Sequence, residues 1–131
     1  AMQYFSVTKS GIARDENVWH SHGSQEDRFL VVQGAMVVAI ADNRKNSETK
    51  GMLNLFHVQS QINPYILLVP KETLHGFMIV SKTEGILLNF PTQLYNSKDE
   101  VRVPYEVAKE KFDDGSDFSW KKVRQFLNLN E

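Results

Sequence analysis

The chain predicts an all-β fold, a single closed sandwich or barrel followed by a short helical tail. Three observations carry this. Between positions 28 and 90 the sequence holds six apolar runs of only five to seven residues, each too short for an ordinary helix. Turn-forming segments separate the runs, with Gly34 and Gly85 at short, hairpin-like connections. Beyond Pro91 the composition turns charged and weakly periodic before one clear helical pattern near the end. Many short strands followed by a helical tail suit a sandwich or barrel better than an alternating α/β arrangement.

Taken in order, an N-terminal "QYFSVTK" reads as a strand able to reach a partner molecule, and "VWHSH" as the next strand. The six apolar runs follow: "RFLVVQ" (28–33), "MVVAIAD" (36–42), "MLNLFHV" (52–58), "YILLV" (65–69), "HGFMIV" (75–80) and "GILLNF" (85–90). Between the second and third, "DNRKNSETKG" (42–51) is polar and reads as an exposed loop. The stretch from Leu94 to Trp120 reads as a wrapping segment with short helical turns. In "SWKKVRQFLN", Ser119 is placed as an N-cap, and Trp120, Val123 and Leu127 recur at helical spacing. The expectation is one domain over 1–131, with its core at 17–105 and a covering tail at 106–131.

Composition narrows the function classes. The 131 residues are 41% hydrophobic and 24% charged, with a core-forming length and no apolar run long enough to span a membrane. The start lacks a secretion-signal pattern, and Ala1 ahead of Met2 reads as a residue left by tag removal. A formal charge of −1 gives no electrostatic reason to expect nucleic acid or an anionic membrane as partner. Zero cysteines exclude disulfides, thiolate metal sites and cysteine nucleophiles, and fit a cytoplasmic location.

Two of the four histidines, His20 and His22, stand two residues apart, followed by Glu26 and Asp27. On a strand, residues i and i+2 share a face at about 6–7 Å, so both imidazoles enter whatever that face encloses. In the next strand Asp27, Phe29, Val31 and Gln33 share one face, which sets a carboxylate opposite the histidines. His75 follows a proline turn into a later strand, while His57 has no partner signal and reads as structural or exposed. Two imidazoles, a carboxylate and a distant imidazole suit a divalent metal with positions open to substrate. The same groups without metal supply a general base with a carboxylate partner. Taken alone, such a histidine pair is as often a hydrogen-bonded polar pair at a sheet edge.

His20-x-His22, four residues, Asp27, six residues, Gly34 resembles the first signature of the cupin superfamily, with Asp where Glu is usual. Pro70 followed four residues later by His75 resembles the second, with Glu72 in place of a glycine. A closer likeness overlies these. "LLVPKETLHGFMIVSKTEGILLNFPTQLYNSKDE" and "VWHSHGSQEDRFLVVQG" resemble the matching regions of dTDP-4-dehydrorhamnose 3,5-epimerases and related enzymes, over residues 17–105. The histidine pair is also similar to that of the sugar-nucleotide 3,4-ketoisomerases.

The resemblance implies a cupin-type jelly-roll β-barrel working as a homodimer in carbohydrate biosynthesis, without a metal cofactor. It implies proton abstraction next to the keto group of a 4-keto-6-deoxy dTDP-sugar. His20 would be the base, His22 its assistant and Tyr95 the acid, with Asp27, Gln33, His75 and Arg28 around the substrate. Arg14 and Lys71 are further candidate cations for a diphosphate. The sequence departs from the family at three places: Asn17 stands for an arginine, Asp27 for a lysine and Leu94 for the first of two tyrosines. No counterpart of the aspartate that orients the base is evident. Two alternatives follow: a metal cupin holding one divalent ion through His20, His22, Asp27 or Glu26, and His75, or a sugar-nucleotide-binding cupin without turnover.

Overall fold

The computed structural model describes residues 2–129, so Ala1 and its reading lie outside it. Nine strands, β1 (Tyr4–Thr8), β2 (Val18–His22), β3 (Asp27–Gln33), β4 (Ala35–Ala41), β5 (Leu53–Gln59), β6 (Leu67–Val69), β7 (Leu74–Ile79), β8 (Gly85–Asn89) and β9 (Glu100–Pro104), form two antiparallel sheets. One sheet runs β1-β8-β3-β6 and the other β5-β4-β7-β2-β9. Helices α1 (Tyr105–Ala108) and α2 (Trp120–Phe126) follow. Among the described residues no helix is long and apolar enough to cross a membrane.

The all-β jelly-roll expectation is met, with two corrections of detail. Gly34 and Gly85 do not close hairpins: β3 and β4 lie in different sheets, as do β7 and β8, so each connection carries the chain across the sandwich. Gly34 adopts φ +78° there, and a Cβ would stand 2.7 Å from the Ser81 hydroxyl, so glycine is required on both counts. The second correction is β9, which the charge-rich segment concealed. It pairs with β2 from Val18↔Pro104 to His22↔Glu100. β1 in turn pairs with β8 of its own chain.

The interior strand β4, between β5 and β7, is apolar throughout because both of its faces are covered. Met36, Val38 and Ile40 enter the core between the sheets with Phe29, Val31, Phe77 and Leu87. Val37, Ala39 and Ala41 enter a second core with Trp19, Met78, Phe112, Phe118, Trp120 and Val123. The tail therefore builds a core of its own and does more than cover a finished barrel. Ser119 caps α2 as expected, its hydroxyl accepting from Lys122 N–H at 3.2 Å. Gly76 lets Trp120 approach the sheet: a Cβ there would lie 3.2 Å from the indole.

The 42–51 loop is exposed as expected, except at its anchor. Asp42 is buried, and its carboxylate accepts from Arg44 at 2.8 Å, Ser47 at 2.6 Å and Thr49 at 2.6 Å. These bonds, Arg44's first, hold the Asp42 carboxyl far below the ordinary range against the opposing effect of burial.

Candidate active site

The strand alternation of β2 decides which residues face inward. Trp19 is fully buried in the second core, its ring 4.4 Å from Phe118 and 5.0 Å from Tyr105. That anchor turns His20 and His22 to the opposite face, into a cavity of about 390 Å³ between the sheets. His75, paired in register with His20 on the adjacent β7, enters the same space. Asp27 arrives from the opposite sheet on β3.

The two histidines have different partners. His20 is held at both ring nitrogens by carboxylates: Nδ1 lies 2.9 Å from Glu100 Oε1, and Nε2 bonds Asp15 Oδ2. Burial would raise the Glu100 carboxyl, but the hydrogen bond and charge of His20, helped by Arg102 and His22, outweigh it and hold Glu100 below the ordinary range. Asp15 is positioned from behind, since its carbonyl accepts from the Tyr105 hydroxyl at 2.8 Å and from the Trp120 indole N–H at 3.1 Å. The tail thus holds one carboxylate, and β9 supplies the other.

His22 belongs to a second group. Its Nε2 lies 3.5 Å from Asp27 Oδ2, and so does His75 Nε2. Asp27 is buried, and its other oxygen, Oδ1, accepts from Gln25 at 2.6 Å and from Asn89 at 2.8 Å. Asn89 Nδ2 also contacts the Tyr4 hydroxyl at 2.7 Å. Burial, then the nearby charges of His22 and His20, push the His75 imidazole below its ordinary value, against the raising effect of Asp27.

Several residues that the sequence pattern assigns to the site stand elsewhere. Arg28 is exposed on the outer face of β3, because Asp27 and Phe29 take the inner one. Gln33 also lies outside the cavity: the strand register shifts between Val31 and Gln33, ending the alternation, and the Gln33 amide donates to Glu84 O at 3.3 Å. Glu26 is outside the group that could hold a metal, and so is His20; among the described residues that group is His22, Asp27 and His75. Lys71 is exposed away from the cavity, and His57 is exposed. Tyr95 lines the cavity mouth, 68% exposed.

Sequence reasoning missed Asp15, Glu100 and Arg102, and Arg14 and Arg102 are the arginines that line the cavity. Glu100 stands 80 positions from His20, so no local spacing could reveal it. The one available signal was the "YNSKDE" segment, in which Glu100 closes the family-like stretch. Glu72, standing where the cupin signature has glycine, adopts φ +63° and donates its N–H to His22 O at 2.7 Å.

Comparison with known proteins agrees with this architecture. The family model described as dTDP-4-dehydrorhamnose 3,5-epimerase matches residues 3–120. A probable low-salt glycan biosynthesis epimerase of Haloferax volcanii, Agl13, is 36% identical over 108 residues, 80% of this chain and 67% of that protein. The Bacillus subtilis spore coat polysaccharide biosynthesis protein SpsL is 31% identical over 104 residues, 78% of this chain and 64% of that one. This chain therefore spans about two thirds of the curated relatives it matches. A solved dTDP sugar isomerase from Desulfovibrio desulfuricans superposes with a TM-score of 0.77 at 22% identity, covering 92% of this chain and 71% of that one. A Bacillus anthracis dTDP-4-dehydrorhamnose 3,5-epimerase solved with TDP and PPi bound gives 0.69 at 24%, covering 79% and 58%. At these identities the structures speak to the fold.

Proposed function

The chain belongs to the dTDP-4-dehydrorhamnose 3,5-epimerase family, and from that premise we propose that it epimerises or isomerises a 4-keto-6-deoxy sugar carried on dTDP. The observation that carries the proposal is His20, an imidazole gripped at both nitrogens by carboxylates inside a cavity of sugar-sized volume. Glu100 on Nδ1 fixes the ring and stabilises the imidazolium that forms on proton capture. Nε2 is the atom that takes the proton. Asp15, whose side chain is 33% exposed, withdraws as the sugar enters and carries off the proton it shares with that nitrogen, which leaves Nε2 free to accept.

The reaction begins with the C–H bond beside the C4 ketone. Its proton passes to His20, and the electron pair moves to the keto oxygen as an enolate. Tyr95 at the mouth swings over the bound sugar and returns a proton to carbon from the opposite face, which inverts that centre. Arg14 and Arg102 supply the cations for the diphosphate, in place of Arg28 and Lys71.

A homodimer is part of this reading. The outer face of the four-stranded sheet carries exposed Phe5, Val7, Val32 and Leu68, with Phe5 beside Leu88 and Leu88 beside Leu30 across the strands. A contiguous apolar sheet face of this kind suits a second copy of the chain. The cytoplasmic location expected from the cysteine-free composition remains part of the proposal.

The test is incubation with a dTDP-4-keto-6-deoxyhexose in deuterated water, followed by NMR. Deuterium entering carbon beside the ketone, lost in His20→Gln, is the expected result. Tight binding of the sugar nucleotide without exchange would overturn the catalytic reading and leave a binding domain.

A further inference from the structure

We infer that the Tyr4 hydroxyl is a catalytic hydrogen-bond donor to the keto oxygen of the sugar, acting from the cavity wall opposite His20 as the enolate forms. The inference rests on the keto-sugar reading and adds to it a residue that the sequence pattern did not single out, since "QYFSVTK" marks only a strand.

Register places the residue. β1 pairs with β8 and β8 with β3, so Tyr4, Asn89 and Phe29 lie side by side across the four-stranded sheet. Alternation along β1 sends Tyr4 and Ser6 to the cavity and leaves Phe5 and Val7 exposed outside it. His20 enters the same cavity from the five-stranded sheet. Packed sheets stand about 10 Å apart, and the length of a tyrosine carries its hydroxyl well into that gap. A sugar between the sheets therefore meets an imidazole on one wall and a phenol on the other.

The bonds around the phenol fix what it can give. Asn89 is buried, and its Oδ1 accepts from the Arg28 backbone N–H at 3.0 Å, which turns Nδ2 the other way. That nitrogen donates to Asp27 Oδ1 at 2.8 Å and to the Tyr4 oxygen at 2.7 Å. An amide nitrogen carries two hydrogens, and these two bonds use both. Tyr4 thus accepts one bond and donates none among the described residues, so its own hydrogen is left for a ligand. Burial, joined by the carboxylates of Asp27 and Glu100, lifts the Tyr4 hydroxyl above its ordinary value against the bond from Asn89 and the charge of Arg14. The group therefore stays protonated across the neutral range. Ser6, the other hydroxyl that this strand sends to the cavity, has no hydrogen bond to orient it among the described residues.

The reaction supplies the need for such a donor. When His20 takes the proton beside the ketone, the C–H electron pair becomes the new carbon–carbon double bond and the carbonyl pair moves onto oxygen. A donor set in place beforehand holds that negative charge without having to reorganise. The phenol keeps its hydrogen throughout. When carbon is protonated again, the pair returns from oxygen and the ketone re-forms. Arg14 and Arg102 are assigned to the diphosphate, and Tyr95 retains the task of protonating carbon, so the two tyrosines act on different atoms.

The experiment follows a dTDP-4-keto-6-deoxyhexose in deuterated water by NMR, reading deuterium entry and inversion separately in wild type and Tyr4→Phe. The expected result is a kcat for deuterium entry about 100-fold lower, with KM within a few-fold and inversion falling in proportion. This is the low end for loss of one such donor, because Tyr4 is 43% exposed and water replaces it in part. As a second measurement, 3,5-difluorotyrosine at position 4 keeps the shape and the bond from Asn89 but ionises at lower pH. The alkaline fall of kcat should move to lower pH with it, a shift that a merely structural role would not produce. Circular dichroism of each protein confirms the fold. Wild-type deuterium entry in Tyr4→Phe would overturn the role, as would an alkaline limb unmoved by the fluorinated residue. Loss of inversion alone, with deuterium entry kept, would also overturn it, since the phenol would then serve carbon and not oxygen. A wild type that exchanges nothing overturns the keto-sugar reading and this role with it, whereas normal exchange in Tyr4→Phe overturns this role alone.

Discussion

Replacing Glu100 by glutamine keeps the side chain's shape and removes its charge, which isolates its effect on His20. The two groups meet at 2.9 Å, and the Glu100 side chain is 22% exposed. When His20 captures a proton, unit charges about 4 Å apart at an effective dielectric near 20 attract by about 4 kcal/mol. Partial exposure of Glu100 weakens this. A net loss of about 2–3 kcal/mol in the transition state remains, or about 30–150-fold in rate. The assay is the rate of deuterium entry beside the ketone of a dTDP-4-keto-6-deoxyhexose, measured across substrate concentration. Glu100→Gln should lower kcat and leave KM within a few-fold, because the ion pair strengthens only as the proton moves. A Glu100→Gln enzyme at the wild-type rate, alongside an inactive His20→Gln, would refute Glu100 as the orienting carboxylate. Asp15→Asn then becomes the decisive variant.

Four further outcomes follow from the same structure. Arg102→Met should raise KM about 10-fold or more and leave kcat nearly unchanged, because the guanidinium is assigned to the diphosphate; initial-rate kinetics read the split. Phe5→Asp should turn a dimer into a monomer by light scattering without loss of strand signal, since Phe5 is 66% exposed on the apolar sheet face. Glu72→Gly should stabilise the fold by about 0.5–1 kcal/mol, seen as a rise in Tm. Its φ of +63° costs a side-chain residue about 1–2 kcal/mol, partly offset by the greater freedom of glycine in the unfolded chain. Asp42 governs an acid effect: its folded pKa is depressed, so its stabilisation is present above the unfolded value of about 3.9 and lost as pH falls below it. Asp42→Asn should cost about 1–2 kcal/mol near neutrality by denaturant titration, with the gap from wild type closing as pH drops below about 4.

Much of the architecture could be read along the chain. The short apolar runs and their turn residues located six of the nine strands, since a run of that length with strand-forming residues has few other ways to bury itself. The pair His20 and His22 on one face, Asp27 opposite them and His75 entering from a later strand also followed from local pattern. So did the capped helix that begins after Ser119. β9 escaped because its alternation is short, with Val101 and Val103 set among Glu100, Arg102 and a closing Pro104 in a charge-rich segment, and pairing with β2 supplies what propensity does not.

What only the tertiary structure decided is how the charged groups are shared out. From sequence, the two histidines form one cluster competing for Asp27 or Glu26. In the fold they separate, His20 to Asp15 and Glu100, His22 to Asp27 and His75. Period-two alternation sets the face a side chain points to, but not the strand that arrives opposite it. That choice rests on register between strands as much as 86 positions apart, as for Val18 and Pro104, and on which sheet each connection enters. The same long-range pairing excluded Gln33 through a one-residue register shift and brought Arg102 in its place to the cavity wall. Residue types along the chain determined which chemistry was available, and the pairing of distant strands determined which residues carry it out together.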